Sequence, residues 1–108
     1  MNYEVYINKD DPVKLLSDII EDIYQETDFT KYTKEEYNGK IPERIMMKIL
    51  IYGYMCGSYS SRIIESRCHR GINFMYLLED HSAPNHSTIA RFRKNVSEII
   101  EIVFYKII

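Results

Sequence analysis

Residues 42–57 read PERIMMKILIYGYMCG, and their pattern predicts one buried α-helix. Pro42 suits the first turn of a helix, and Gly57 is a usual residue just past a helix end. The apolar positions between them are Ile45, Met46, Ile49, Leu50, Ile51, Tyr52, Tyr54 and Met55. Because these positions lie on all sides of a helix, neighbouring elements must cover it all round. The stretch therefore predicts a central helix at about 42–56.

The chain before this helix predicts a surface helix and a long connection. Asp11 and Pro12 form a good N-cap and first-turn pair, and they begin a helix at about 12–26. One stripe of this helix is apolar: Val13, Leu16, Ile19, Ile20, Ile23 and Tyr24. Residues 1–11 and 27–41 are less regular, and the second of these segments contains the turn signal Asn38-Gly39.

Three more helices are predicted after the central one. The serines at 58–61 offer caps for a helix at about 60–69, which Gly71 ends, and a short helix follows at about 72–79. Asn85 caps a last helix from 86 to the chain end. Its apolar residues alternate in steps of three and four: Ile89, Phe92, Val96, Ile99 and Val103. The predicted fold class is all-α: one domain, 1–108, of about five helices with a helix-turn-helix-like unit.

Length and composition limit the classes of protein that fit. A chain of 108 residues allows one ordinary domain, and 45% hydrophobic with 28% charged residues is typical of a globular protein. The longest uncharged run, Ile49–Ser61, has 13 residues, too few to cross a bilayer. No export signal opens the chain, so the two cysteines are expected to stay reduced in a cytoplasm.

Charge is distributed unevenly along the chain. Residues 1–40 carry ten acids and five lysines, a net charge of −5. Residues 41–108 carry six acids, six arginines and three lysines, a net charge of +3. Arginine favours planar, bidentate contacts with anions, so its confinement to the second part indicates an anionic partner there. Variation of an ordinary surface is the alternative.

The last predicted helix presents a basic face in its first turns. Opposite the apolar stripe lie Ser87, Ala90, Arg91 and Lys94, flanked by His86 and Arg93. A major-groove reader needs such a set: a helix N-terminus near phosphate, small residues for close approach, and an arginine for guanine. Acids follow at Glu98 and Glu101, so DNA contact should stop near residue 95. A merely solvated helix face is the alternative.

The third predicted helix adds a second set of cations. Arg62, Arg67, His69 and Arg70 outnumber a single acid, Glu65. With Ser60 and Ser61 at its start, this helix is suited to lie along a phosphate backbone while the last helix enters the groove. Again, a mixed surface helix is the alternative.

Three sequence blocks resemble the N-terminal domain of bacterial insertion-sequence transposases of the DDE type. The blocks are LIYGYMCGSYSSRIIE at 50–65, CHRGINFMYL at 68–77 and PNHSTIARFR at 84–93. They follow the family's order and approximate spacing, and the resemblance extends over about residues 12–105. Where the family commonly has Asp before His-Ser-Thr, this chain has Asn85, an equally good helix cap.

The resemblance implies a helix-turn-helix-like domain that binds the terminal inverted repeats of its element as double-stranded DNA. In that family the catalytic Asp-Asp-Glu set and its two divalent metals belong to a later domain, absent from these residues. We therefore expect no catalytic residue, cofactor or metal here, with a second copy or a catalytic domain in trans as further partners. The expected base-reading residues are Asn85, His86, Ser87, Thr88, Ala90, Arg91 and Lys94. The expected phosphate-binding residues are Ser60, Ser61, Arg62, Arg67, Arg70 and Arg93.

Other readings of the sequence compete with this one. The possible zinc ligands Cys56, Cys68, His69, His81 and His86 lack the closely spaced pairs of structural zinc sites. Both cysteines, and the tyrosines at 52, 54 and 59, are instead expected to pack in the core. The more serious rival is an oligomerisation or docking module, in which the apolar stripe at 89–103 and the apolar tail pair two chains or cover a catalytic domain. A remnant without a role is a third possibility.

Overall fold

Six α-helices form the part of the computed structural model that is described, residues 3–107, and this part contains no strand. The helices are α1 (Pro12–Glu26), α2 (Glu43–Met55), α3 (Ser61–Arg70), α4 (Ile72–Leu78), α5 (His86–Asn95) and α6 (Ser97–Ile107). Short 3-10 turns occur at Tyr3–Tyr6 and Thr30–Tyr32. The predicted all-α fold class is confirmed.

Helix α2 is the centre of the fold, as its apolar pattern predicts. Every residue from Ile45 to Ile51 is buried, and α2 packs against each of the other five helices. Gly57 ends this segment with a φ of +78°, a left-handed conformation that glycine adopts without strain. The helices that cover α2 are the ones that carry the candidate site.

The C-terminal end of α2 is more exposed than the sequence predicts. Cys56 and Tyr59, both expected in the core, are exposed, while Tyr52 and Tyr54 are half-buried. A Cβ placed on Gly57 would meet no atom within 4 Å, so this corner of the chain projects into solvent. The apolar pattern fails here because the side chains of Cys56 and Tyr59 lie on a side of the chain that the other helices leave uncovered, although Ser58 between them is buried.

Side-chain caps fix where three helices begin. Asp11 accepts a hydrogen bond from the Val13 amide at 2.9 Å, and Asn85 accepts one from the Thr88 amide at 2.8 Å. Ser60 caps α3 through the amide of residue 63 at 3.5 Å. The predicted caps at Asp11 and Asn85 are confirmed, and of the three serines offered for α3 the cap is Ser60.

A charged cluster joins α1 to α2. Oε1 of Glu21 accepts hydrogen bonds from Nζ of Lys48 at 2.7 Å and from Nε of Arg44 at 2.9 Å. The Lys48 residue is only 3% exposed, so its ammonium needs this carboxylate as a partner. The cluster holds α1 in place on the central helix.

The prediction of one helix from 86 to the chain end is wrong, since the segment divides at Val96 into α5 and α6. The backbone of Val96 leaves helical geometry, with φ −111° and ψ 24°. At the same point the carbonyl of Asn95 accepts a hydrogen bond from the Lys34 amide at 3.4 Å. The apolar stripe nevertheless stays continuous and buried: Ile89, Phe92, Val96, Ile99 and Val103.

Candidate nucleic-acid interface

Helix α5 exposes a narrow basic strip between two flanks that pack on the domain. Ser87, Arg91 and Lys94 are exposed, and Ala90 beside them is half-buried. Within residues 3–107, neither Arg91 nor Lys94 has a hydrogen-bond or ion-pair partner. The strip therefore offers two free cations and two small side chains at the surface. We refer to these four residues as the α5 strip.

One flank of α5 is tied at one end to α3 and at the other end to the segment that precedes α3. Nδ1 of His86 lies 3.2 Å from Oε1 of Glu65, and Nη1 of Arg93 donates to the carbonyl oxygen of Tyr59 at 2.6 Å. Tyr59, two residues before α3 begins, thus lies beside the end of α5, and the middle of α3 lies beside its start. His86 and Arg93, both expected to bind DNA, are engaged within the protein.

The cations of α3 lie on two different flanks. Ile64 and Cys68 are its buried residues, and Glu65 faces α5. At about 100° per residue, Arg62 falls on the flank nearer α5. The same geometry assigns the exposed Arg67 and Arg70 to the opposite flank. Of the three arginines, Arg62 is therefore next to the α5 strip.

The second flank of α5 contacts the connection between α1 and α2. The Asn95 amide group forms a fork with the backbone of Glu35, accepting from its N–H at 2.7 Å and donating to its carbonyl at 3.1 Å. The rings of Tyr37 and Phe92 meet edge to face, with centroids 5.4 Å apart. The half-buried Thr88 lies on this flank, where it lines a groove shared with Gly39.

The remaining expected site residues lie at helix starts. Asn85 is exposed, but its side-chain oxygen is occupied by the cap of α5. Ser60 has the same role at α3, and the half-buried Ser61 follows it as the first helical residue. These residues lie at the N-terminal ends of two helices, where backbone N–H groups favour anions.

Sequence reasoning missed the part that the α1–α2 connection plays in this surface. Asn38 and Lys40 are exposed, and Lys40 lines an open groove together with Asn85 and Arg91. Helical periodicity carries no information about a loop that returns to a helix some 60 positions later. The only local signals were the Asn38-Gly39 turn and the lysine that follows it.

The competing chemical sites do not form among the described residues. Within 3–107, no three His, Cys, Asp or Glu side chains are grouped as metal ligands would be. Burial, with a smaller contribution from the charge of Glu65, raises the pKa of the Cys68 thiol to about 12. At neutral pH this group stays protonated, so it is a poor nucleophile and a poor ligand.

The apolar stripe of the rival docking hypothesis is part of the domain's own core. None of its five residues is more than 4% exposed, so no stripe is available for pairing with another chain. Tyr105 on α6 is 85% exposed. The ring of its neighbour Phe104 stacks on the ring of Tyr54, with the ring centroids 6.0 Å apart. No helix within residues 3–107 is both long enough and apolar enough to cross a membrane.

Comparison with known protein families identifies a match over most of the chain. A family model described as a transposase domain (DUF772) matches residues 1–95, a range that ends with the last residue of α5. No curated protein and no solved structure matches the chain significantly. The match covers both helices that carry the basic residues.

Proposed function

Because this chain belongs to the DUF772 transposase-domain family, we propose that it binds double-stranded DNA at the ends of a mobile element. The observation that supports this proposal most is the α5 strip, in which Arg91 and Lys94 are exposed and have no partner among the described residues, 3–107. Free cations on an exposed helix face are what an anionic duplex requires. The role is recognition in the host cytoplasm, with no chemistry assigned to these residues.

Helix α5 is the element that enters the major groove in this proposal. Ser87 and Ala90 allow close approach, and in this proposal Arg91 donates two hydrogen bonds to the O6 and N7 atoms of a guanine. Lys94 is the last free cation before the acidic Glu98. The contact is therefore centred on the first two turns of the helix.

Helix α3 supplies the phosphate contacts on one side of the groove. Arg62 lies on the flank that faces α5, and Ser60 and Ser61 stand at the helix N-terminus, whose amides favour a phosphate. Arg67 and Arg70 extend from the far flank and act through their charge at longer range. In this arrangement α3 and α5 pack side by side as the two helices of a helix-turn-helix-like unit, with α4 inserted between them in the sequence.

The test is a salt titration of DNA binding. Fluorescence anisotropy of a labelled mixed-sequence duplex of about 20 base pairs, close to two helical turns, measures affinity. The logarithm of the association constant should fall linearly with the logarithm of salt concentration, by about 0.9 for each phosphate contact. Selection from a random-sequence duplex library then identifies any preferred site.

Two results would overturn the proposal. One is the absence of a complex even at low salt, and the other is an affinity that salt leaves unchanged. Sedimentation of the protein alone, which measures its oligomeric state, tests the rival docking function. That function predicts self-association that salt hardly weakens. Self-association without DNA binding would favour that function.

A further inference from the structure

The segment from Tyr37 to Ile41, here called the 37–41 loop, is closed on itself and fixed against α5. The hydroxyl of Tyr37 donates to the carbonyl of Ile41, and its ring packs on Phe92. A Cβ on Gly39 would lie within 3 Å of the Tyr37 hydroxyl and ring, so a larger residue at that position would require the ring to shift. This loop therefore has a defined conformation on the protein surface, although it is neither helix nor strand.

The loop lies on the flank of α5 opposite α3. Lys40 and Gly39 form one wall of an open groove of about 770 Å³, and Asn85, Thr88 and Arg91 form part of the other. Since α3 is tied to the other flank through His86, the α5 strip runs between α3 and the loop. This is the arrangement of a helix with a supporting element on each side.

Charge varies along the loop side of α5. Near the helix start the groove holds the cations Lys40 and Arg91, together with His81 and one acid, Asp80. Near the helix end the acidic Glu35, and Glu36 after it, lie beside Asn95. Lys34, whose amide donates to the Asn95 carbonyl, offsets one of these two acids, so an anionic backbone is favoured beside the first turns of α5 more than beside the last.

We propose that the 37–41 loop is a second DNA-contacting element, in which Lys40 binds a phosphate. This inference rests on the proposed function of α5. A helix in the major groove has one phosphate backbone on each side. Arg62 of α3 faces one of these DNA strands and Lys40 faces the other. The protein therefore contacts the phosphate backbones on both sides of the major groove. Asn38, exposed next to Lys40 in the loop, is a second donor to the same strand.

A pair of lysine variants tests this inference. Lys40→Ala and Lys31→Ala each remove one charge from the same connection, but Lys31 lies over the Tyr32 ring in the 3-10 turn, away from the groove. Lys40→Ala should weaken duplex binding about eightfold at 0.1 M salt and reduce the salt slope by about one, as the loss of one phosphate contact requires. Lys31→Ala should leave both unchanged. Equal binding by the two variants would overturn the inference.

Phosphate ethylation of the duplex tests the geometry independently. With the wild-type chain, modified phosphates that interfere with binding should lie on both strands. Lys40→Ala should lose interference on one strand only, and Arg62→Ala on the other strand only. Loss on the same strand for both variants would overturn the proposed arrangement. A wild-type chain that binds no duplex would instead overturn the proposed function, and with it this inference.

Discussion

Nδ1 of His86 lies 3.2 Å from Oε1 of Glu65, and this contact joins the first turn of α5 to the middle of α3. At the other end of α5, Arg93 donates to the carbonyl oxygen of Tyr59. Two links at opposite ends fix the rotation of α5 about its own axis. The remaining side chains of α5, such as that of Arg91, take no part in the core or in these two contacts. Their direction from the helix is therefore fixed as well.

The coupling between His86 and Glu65 is expected to be measurable but modest. Both side chains are about a third exposed (33% and 27%), so water screens their interaction. A double-mutant cycle of Glu65→Ala and His86→Ala, followed by urea unfolding, should give a coupling of ~0.5–1 kcal/mol. Glu101→Ala, at an exposed acid in the middle of α6, is the control and should be nearly neutral. Strictly additive single-variant effects would show that the contact does not stabilise the domain.

Arg91 and Arg93 are two residues apart, but their substitutions should affect different properties. Arg91→Ala should mainly weaken DNA binding, and Arg93→Ala should mainly lower stability. Arg91→Ala removes a free cation, so stability should change by less than ~0.5 kcal/mol while DNA binding weakens by ~1–3 kcal/mol. Arg93→Ala removes the hydrogen bond to Tyr59, so the melting temperature should fall, with a cost of about 1 kcal/mol. Thermal unfolding and anisotropy measured on both variants check this. A stability loss confined to Arg91→Ala would show that the faces of α5 are misassigned.

Much of the fold could be predicted because its signals are local. Asp11 followed by Pro12 marks a helix start whatever else the chain does, and α1 was predicted with the bounds it has, 12–26. The same holds for Asn85 at the start of α5 and for the apolar residues that surround α2. In each case the determining residues lie within a few positions of the feature.

The missed features depend on contacts between distant positions. Nothing in the spacing from Ile89 to Val103 signals a break, because the steps of three and four continue through it. The break lies at Val96, where Asn95 turns its polar groups to the connection that contains Glu35. The connection that meets Asn95 continues to Lys40 and is also held on α5 by the Tyr37–Phe92 contact, so the break and the overlooked loop both involve contacts between distant positions.

Phe92 tests whether the apolar side of α5 is correctly assigned. The residue is 4% exposed and packs on Tyr37, so Phe92→Ala should destabilise the domain by ~3–5 kcal/mol. The matched control is Tyr105→Ala, which removes an aromatic ring that is 85% exposed and should change stability by less than ~0.5 kcal/mol. Urea unfolding of both variants gives the comparison. Equal stability of the two would contradict the burial of Phe92.

Glu21 should make stability depend on pH in the acid range. Partial burial alone acts to raise the pKa of Glu21, but hydrogen bonds and charge from Lys48 and then Arg44 outweigh it and hold the pKa below its ordinary value of 4.5. A carboxylate with a lowered pKa stabilises the fold above its ordinary pKa, and this contribution is lost as pH falls through the folded-state pKa. The wild-type chain should therefore lose stability as the pH falls below about 4.5.

Glu21→Gln isolates this contribution, because it keeps the size of the side chain and removes the charge. At pH 7 the variant should be ~1–3 kcal/mol less stable, since the buried ammonium of Lys48 loses its anionic partner. As the pH is lowered below 4.5, the wild-type carboxylate becomes protonated and the difference between the two proteins should shrink toward zero. Asp22→Asn, at an exposed position next to Glu21 on α1, is the control and should follow the wild type at pH 7. Urea unfolding across this pH range makes the measurement, and a Glu21→Gln deficit that stays constant down to low pH would mean that the charge of Glu21 does not stabilise the fold.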